Sequence, residues 1–110
     1  MPQVYRVLGQ LNPAAATPED IYTVLKPIRS AILSSINVCN RSATPTTFRI
    51  AIRKGGAALA LEQYIAYDTP ITANDTISFN IGISLAQTDI VTVYATLATV
   101  TFNVFGLENA

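Results

Sequence analysis

Apolar and polar residues alternate with a period of two through most of the segment 76–105. The apolar positions of its first run share one parity: Ile77, Phe79, Ile81, Ile83 and Leu85. Two further runs, over residues 91–97 and 99–104, are rich in β-branched and aromatic residues. Because successive side chains of a strand face opposite sides of a sheet, the three runs predict an antiparallel meander with one buried face.

Strand patterns also precede this segment. Residues 32–41 alternate, and residues 48–53 alternate after a turn of small polar residues, so we predict a hairpin with an aliphatic inner face and a cationic outer face. Shorter strands are expected at residues 19–25 and at residues 64–67, where Asp68-Thr69-Pro70 would end the strand. Residues 57–63 favour one turn of helix or an irregular loop.

Seven or eight short strands at near-regular spacing predict an all-β fold, namely a single-domain antiparallel β-sandwich of the jelly-roll or immunoglobulin-like type. A chain of 110 residues fits one such domain. We expect residues 1–18 to form an N-terminal arm or edge strand with a proline-rich loop, and residues 19–110 to form the sandwich. The predicted core residues are Ile36, Val38, Phe48, Ile50, Ile52, Ile77, Phe79, Ile81, Ile83, Val91, Val93, Phe102 and Val104.

The chain carries few charges, and they cancel. It has 7 Lys+Arg and 7 Asp+Glu, charged residues make up 13% of it, and its mean hydropathy is +0.36. A zero net charge argues against nucleic acid and anionic membranes as partners, since both attract an excess of cations. No apolar run approaches the roughly 18 residues of a transmembrane helix. A charged fraction about half the usual one predicts that the domain is partly covered by other protein.

The sequence contains few candidate catalytic residues. There is no histidine, which removes the commonest general base and transition-metal ligand, and Cys39 is the single cysteine. Asp68, Asp75 and Asp89 stand in turn-like segments, where aspartate stabilises the backbone by local hydrogen bonds. We therefore expect a protein that is no enzyme, with no cofactor, no metal site and no small-molecule substrate.

Tyrosines and arginines are the remaining candidates for function. The arginines at 49 and 53 lie on the cationic side of the predicted hairpin, which fits a solvated face or a contact with protein. The tyrosines combine a large contact area with a polar tip, so they fit an interface or the rim of the core equally well. The interface candidates are Tyr5, Arg6, Arg49, Arg53, Tyr64, Tyr67 and Tyr94.

Several stretches resemble small structural proteins of tailed bacteriophages. They are the phrase ILSSINVCNRS at residues 32–42, together with residues 47–52, 63–68, 85–89, 91–95 and 102–108. The resemblance implies a β-sandwich that is made in the bacterial cytoplasm and built in many copies into the virion. We predict a homo-oligomer, a trimer or hexamer, that contacts other virion proteins in the tail, baseplate or neck.

Three alternatives remain open. Within the same class, the protein could be a capsid decoration (cement) protein that clamps shell subunits. From another class, it could be a carbohydrate- or receptor-binding module in which tyrosines and turn aspartates contact a glycan. A domain accessory to an enzyme is the third.

Overall fold

The computed structural model describes residues 3–110, which form two antiparallel sheets packed as a sandwich. The strands of this range are β1 (Gln3–Leu11), β2 (Glu19–Thr23), β3 (Ser30–Asn40), β4 (Thr46–Arg53), β5 (Tyr64–Ile71), β6 (Thr76–Phe79), β7 (Ile83–Ala86), β8 (Ile90–Ala95) and β9 (Val100–Asn109). Two short 3-10 turns, Lys54–Gly56 and Leu61–Gln63, lie between β4 and β5. The predicted antiparallel β-sandwich is confirmed, with nine strands in residues 3–110 instead of seven or eight.

Strand order differs from sequence order in both sheets. The five-stranded sheet runs β1–β9–β3, and β6 and β7 both pair with the far side of β3, one near each end of it. The four-stranded sheet runs β2–β8–β4–β5. The first and last strands are therefore neighbours, and β9 lies in the interior of its sheet.

The predicted meander and the predicted hairpin are both wrong. β8 belongs to the four-stranded sheet, whereas β6, β7 and β9 belong to the other, so β8 pairs with none of them. β3 and β4 likewise lie in opposite sheets, and β4 pairs with β5 and β8. Both sheets of a sandwich bury one face in a shared core, so the alternation is the same whichever sheet a strand joins.

The core lies between the sheets around two phenylalanines. Phe48 and Phe102 are fully buried, with ring centroids 6.1 Å apart and rings edge to face, and Phe79 meets Phe48 in the same way at 6.0 Å. Such pairs add to the gain from burial alone. Of the predicted core residues, the structure buries Ile36, Val38, Phe48, Ile50, Val91, Val93, Phe102 and Val104. It leaves Ile52, Ile77, Phe79 and Ile83 half-buried against that core.

Ile81 is a correction, because its side chain is 45% exposed. The run that looked like one strand is two strands, separated by the non-strand residues 80–82. β6 and β7 each pair with β3, and β3 itself shifts register between Leu33 and Ser35. The alternation of apolar and polar residues continues through residues 80–82, whereas the strand does not.

β5 also departs from its predicted end. It continues through Asp68 to Ile71, with Asp68 in the left-handed region at φ 48° and a register shift against β4. Aspartate adopts this conformation more readily than most residues. Pro70 is tolerated because β5 is an edge strand, where a missing N–H can face solvent.

Candidate interaction surfaces

The outer face of the five-stranded sheet has no charged side chain among its aligned positions. Cross-strand pairing arranges these positions in five rows: Tyr5, Leu107, Ile32 and Ser84; Val7, Phe105 and Ser35; Gln10, Asn103, Asn37 and Ser78; Thr101, Cys39 and Thr76; and, on the other side of the Tyr5 row, Gln3, Asn109, Ser30 and Ala86. We call this surface the uncharged face. Apart from Leu107, which is 8% exposed, its side chains in β3 and β9 alternate with buried side chains that point into the sandwich.

The uncharged face has an apolar band in its first two rows, with polar rows on both sides of it. Tyr5 is 79% exposed, and Val7 and Ile32 are exposed beside it in the first two rows. In the third row, Ser78 Oγ donates a hydrogen bond to Asn37 Oδ1 at 2.8 Å. An apolar patch beside neutral hydrogen-bonding groups has the composition of a protein interface, whose centre is depleted of charges.

Tyr5 and Arg6 face opposite sides of β1. Arg6 Nε lies 3.5 Å from Glu108 Oε1, and Glu108 Oε2 accepts a hydrogen bond of 2.6 Å from the hydroxyl of Tyr22 in the other sheet. Burial, followed by that hydrogen bond, raises the pKa of Tyr22 above its ordinary value, so the hydroxyl remains a donor. Arg6 thus belongs to a contact between the sheets, and Tyr5 alone of the two lies on the uncharged face.

The outer side of the four-stranded sheet carries an arginine–tyrosine cluster, formed by Arg49, Tyr64, Tyr67, Asp68 and Tyr94. The Arg49 guanidinium carbon lies 4.2 Å from the ring centroid of Tyr67 and 4.4 Å from that of Tyr94. Arg49 Nε donates to Asp68 Oδ1 at 2.7 Å, and the rings of Tyr64 and Tyr67 meet edge to face at 4.8 Å. Cation–π contact and a charge-assisted hydrogen bond therefore hold the guanidinium in place.

The bulge of β5 makes this cluster possible. The shift at Asp68 lets two successive residues, Tyr67 and Asp68, both reach Arg49, which a regular strand would not allow. The hydrogen bond with Asp68 raises the pKa of Arg49 above its ordinary value, so this side chain stays charged.

The strip of two arginines on the predicted cationic face of β4, Arg49 and Arg53, has neighbouring carboxylates. Arg53 Nη1 lies 3.0 Å from Asp20 Oδ1, which also accepts a hydrogen bond of 2.8 Å from Thr92 Oγ1. Arg53 Nε donates to the carbonyl oxygen of Ala57 at 2.8 Å and so anchors the turn after β4. With Arg49 paired to Asp68, both arginines of the strip have a carboxylate partner, which weakens any attraction for an anionic ligand.

The interface candidates thus fall into separate places. Arg49, Tyr64, Tyr67 and Tyr94 come together in the arginine–tyrosine cluster, and Arg53 lies on the same sheet. Tyr5 and Arg6 lie on the opposite sheet. Reasoning from the sequence missed most of the uncharged face, because its rows join residues up to about 100 positions apart, from Tyr5 to Leu107. The usable signal was the absence of Asp, Glu, Lys and Arg from one parity of each strand.

The structural role of Asn40 was not predicted from the sequence either. It is fully buried at the end of β3, where its Nδ2 donates to the carbonyl oxygens of Thr44 (2.9 Å) and Thr72 (3.2 Å). Its Oδ1 accepts from Ser42 N and Thr99 Oγ1, both at 3.2 Å. This side chain therefore joins the β3–β4, β5–β6 and β8–β9 connections at one end of the sandwich.

The turn aspartates are used locally. Asp75 accepts hydrogen bonds from Thr72 Oγ1 and from its neighbour's backbone N–H, at 3.0 and 2.8 Å. Asp89 Oδ1 accepts from the N–H of Gly55 at 2.8 Å, and its Oδ2 accepts from that of Ala86 at 2.9 Å. Residues 3–110 contain no group of three or more His, Cys, Asp or Glu placed to bind a metal.

A shallow groove of about 380 Å³ lies where β1 and β9 run side by side. The residues that line it are Gln10, Leu11, Asn12, Thr101, Phe102 and Asn103, none of which titrates near neutral pH. The groove therefore offers amides and a hydroxyl for binding, and it offers no acid or base. Among the described residues, no helix has the length and apolar composition that a membrane span requires.

Comparison with models of protein families, with curated proteins and with solved structures found no match for this chain.

Proposed function

We propose that this protein is a non-enzymatic structural component of a bacteriophage virion. It self-associates and contacts neighbouring virion proteins in the tail, baseplate or neck. The uncharged face is the observation that carries the proposal of assembly. The resemblance of residues 32–42, 47–52 and 63–68 to small proteins of tailed phages supports the assignment to a virion.

The physical reason lies in the cost of burying charge. A charged side chain loses its hydration when a partner covers it, and it recovers that loss only with a well-placed counter-ion. Serine, threonine and asparagine cost far less to cover, because each can form hydrogen bonds within the interface or with trapped water. A sheet face built from such residues and apolar ones suits permanent contact with other protein.

The two sides of the sandwich differ in this respect. The four-stranded sheet displays the ion pairs Arg49–Asp68 and Arg53–Asp20, whose partly exposed charges would lose hydration under a partner. The opposite sheet displays the uncharged face. We therefore assign assembly contacts to the five-stranded sheet, and we leave the four-stranded sheet facing solvent or a more polar partner.

Two isoleucines allow a matched test of this assignment. Ile32 on the uncharged face is 39% exposed, and Ile65 in the four-stranded sheet is 42% exposed. We expect sedimentation to show association of the wild type that grows with concentration, weakening in Ile32→Lys and persisting in Ile65→Lys. A wild type that stays monomeric at every concentration would contradict the proposal, as would equal behaviour of the two variants.

The location in the virion requires a separate experiment. Purified phage particles, separated by density into whole virions, tails and empty shells, should contain the protein in the tail fraction. Its presence on shells alone would instead identify a capsid decoration protein. Its absence from all three fractions would refute the virion assignment.

A carbohydrate- or receptor-binding module is the second candidate, and the arginine–tyrosine cluster favours it. Tyr67 is half-exposed beside the carboxylate of Asp68 and the guanidinium of Arg49, so an aromatic surface adjoins groups that bind hydroxyls. In this case a glycan array should detect binding that Tyr67→Ala abolishes and that Tyr5→Ala, on the opposite sheet, preserves. Binding that survives Tyr67→Ala would exclude this cluster as the site.

A further inference from the structure

The edges of the two sheets differ in their protection against pairing. β6 and β7 are short, with four residues each, and β2 has five residues with a register shift. β5 contains Pro70 and the bulge at Asp68. Short length, bulges and proline are the devices that prevent an edge strand from pairing with another chain. β1, with nine residues and no proline, is the least protected of these edges.

The first half of β1 is regular as well as exposed. Residues 3–7 align one to one with residues 105–109 of β9, and the register shifts only between Val7 and Gly9. At an edge strand, alternate backbone N–H and C=O groups face away from the sheet without a partner in it. Tyr5 is the middle residue of this segment and is 79% exposed. Unused backbone hydrogen bonds and an exposed aromatic ring therefore coincide.

We propose that this edge pairs with the same edge of a second copy of the chain. The two β1 strands run antiparallel about a two-fold axis at Tyr5, and two five-stranded sheets become one continuous sheet. This inference rests on the proposed self-association and adds a contact through an edge strand to the contact through the uncharged face. Such a contact is isologous, so each copy contributes the same five residues.

The side chains of β1 select the position of the axis. An axis at Arg6 would place two guanidinium groups directly opposite each other, which is destabilising. An axis at Val7 would carry the pairing across the register shift that follows it. An axis at Tyr5 avoids both, since it places Arg6 opposite Val4 of the second copy and Tyr5 opposite Tyr5.

The uncharged face becomes continuous in this arrangement. Its first row crosses β1, β9, β3 and β7 through Tyr5, Leu107, Ile32 and Ser84. Pairing at Tyr5 places this row end to end with its own two-fold copy, so the Tyr5 rows of the two uncharged faces form one continuous row, and Val7 of each copy lies opposite Gln3 of the other. A partner protein would then meet one apolar row twice as long. Five residues per copy form a small contact, which is weak alone and strengthens when many copies are held together.

Disulfide cross-linking tests the register of the two β1 strands directly. The native thiol is removed by Cys39→Ser, and Tyr5→Cys, Arg6→Cys or Val7→Cys is added singly to that background. Directly opposed residues of an antiparallel pair have Cα atoms about 4.5–5.5 Å apart, within the range that a disulfide spans. With the axis at Tyr5, the two residues 6 are displaced along the strands by about 7 Å and the two residues 7 by more. Tyr5→Cys should therefore form covalent dimers at least about tenfold faster than the other two under mild oxidation.

The outcomes separate this inference from the function on which it rests. Equal, slow cross-linking at all three positions, with a wild type that still associates in sedimentation, would refute pairing through β1 and leave self-association standing. A wild type that remains monomeric, again with slow cross-linking, would refute both. Fast cross-linking at position 6 or 7 in place of position 5 would refute the axis at Tyr5. Because Tyr5 is exposed, Tyr5→Cys should unfold at the same denaturant concentration as the Cys39→Ser parent.

Discussion

We expect Asn40→Ala to destabilise the fold by about 2–4 kcal/mol. Four hydrogen bonds to Thr44, Thr72, Ser42 and Thr99 are lost with the amide, each with a net contribution of about 0.5–1.5 kcal/mol. Water can reach some of the abandoned partners in the outer parts of these loops, which places the expected loss in the lower part of the summed range. With a urea m-value of about 2 kcal/mol/M, the unfolding midpoint should fall by roughly 1–2 M.

Asn37→Ala is the matched control, because the same residue type lies three positions earlier in β3 and faces outward. Its Oδ1 accepts a single hydrogen bond from Ser78, so we expect a loss below about 1 kcal/mol. Urea unfolding followed by circular dichroism compares the two variants. A loss of less than about 1 kcal/mol for Asn40→Ala, or equal losses for both variants, would show that the buried amide does not hold the three connections together.

Three further predictions concern single side chains. Because folding raises the pKa of Tyr22, the protonated phenol stabilises the folded state. This contribution is fully present below pH 10.0, the ordinary pKa of tyrosine, and is lost as the pH rises above that value. Urea unfolding should thus weaken from about pH 9 to about pH 11 more steeply in the wild type than in Tyr22→Phe, and equal slopes would count against this role. The buried Oγ1 of Thr46 has no hydrogen-bond partner among residues 3–110, so Thr46→Val should raise the free energy of unfolding by about 1 kcal/mol, and a loss would mean that the hydroxyl is satisfied. Phe79→Ala should lower the free energy of unfolding by about 2 kcal/mol, because the half-buried ring of Phe79 packs on the core, whereas Ile81→Ser should lower it by less than about 0.5 kcal/mol. If thermal unfolding showed the larger loss for Ile81→Ser, the assignment of faces would be wrong.

The fold class could be predicted because period-two alternation is a local signal. The alternation of apolar and polar residues marks several strand positions that the structure buries, and it can be recognised without knowledge of any partner strand. These positions include Val91, Val93, Phe102 and Val104. Strand order could not be predicted in the same way. A short connection can turn back within one sheet or cross to the other, and the alternation of β3 and β4 is compatible with both.

The candidate surfaces depended on contacts between distant residues. The position of Tyr67 over Arg49 required the bulge at Asp68, whereas Asp68-Thr69-Pro70 in the sequence indicated the end of a strand at that point. The partners of Asn40 lie as far as 59 residues away along the chain, so its sequence context suggested only a turn. The prediction that Ile81 is buried was wrong because the local alternation of apolar and polar residues continues through residues 80–82, which lie outside the strands.

The place of β9 between β1 and β3 has a consequence for biosynthesis. As the chain leaves the ribosome, the N-terminal segment Gln3–Leu11 must wait for Val100–Asn109, the partner with which it pairs, before it can enter a sheet. Bringing such remote segments together makes folding slow, and a nascent chain exposes unpaired strands until β9 has been translated. Loss of β9 by premature termination would separate the two strands that it joins, so we expect such products to be cleared by proteases rather than to accumulate as a smaller sandwich.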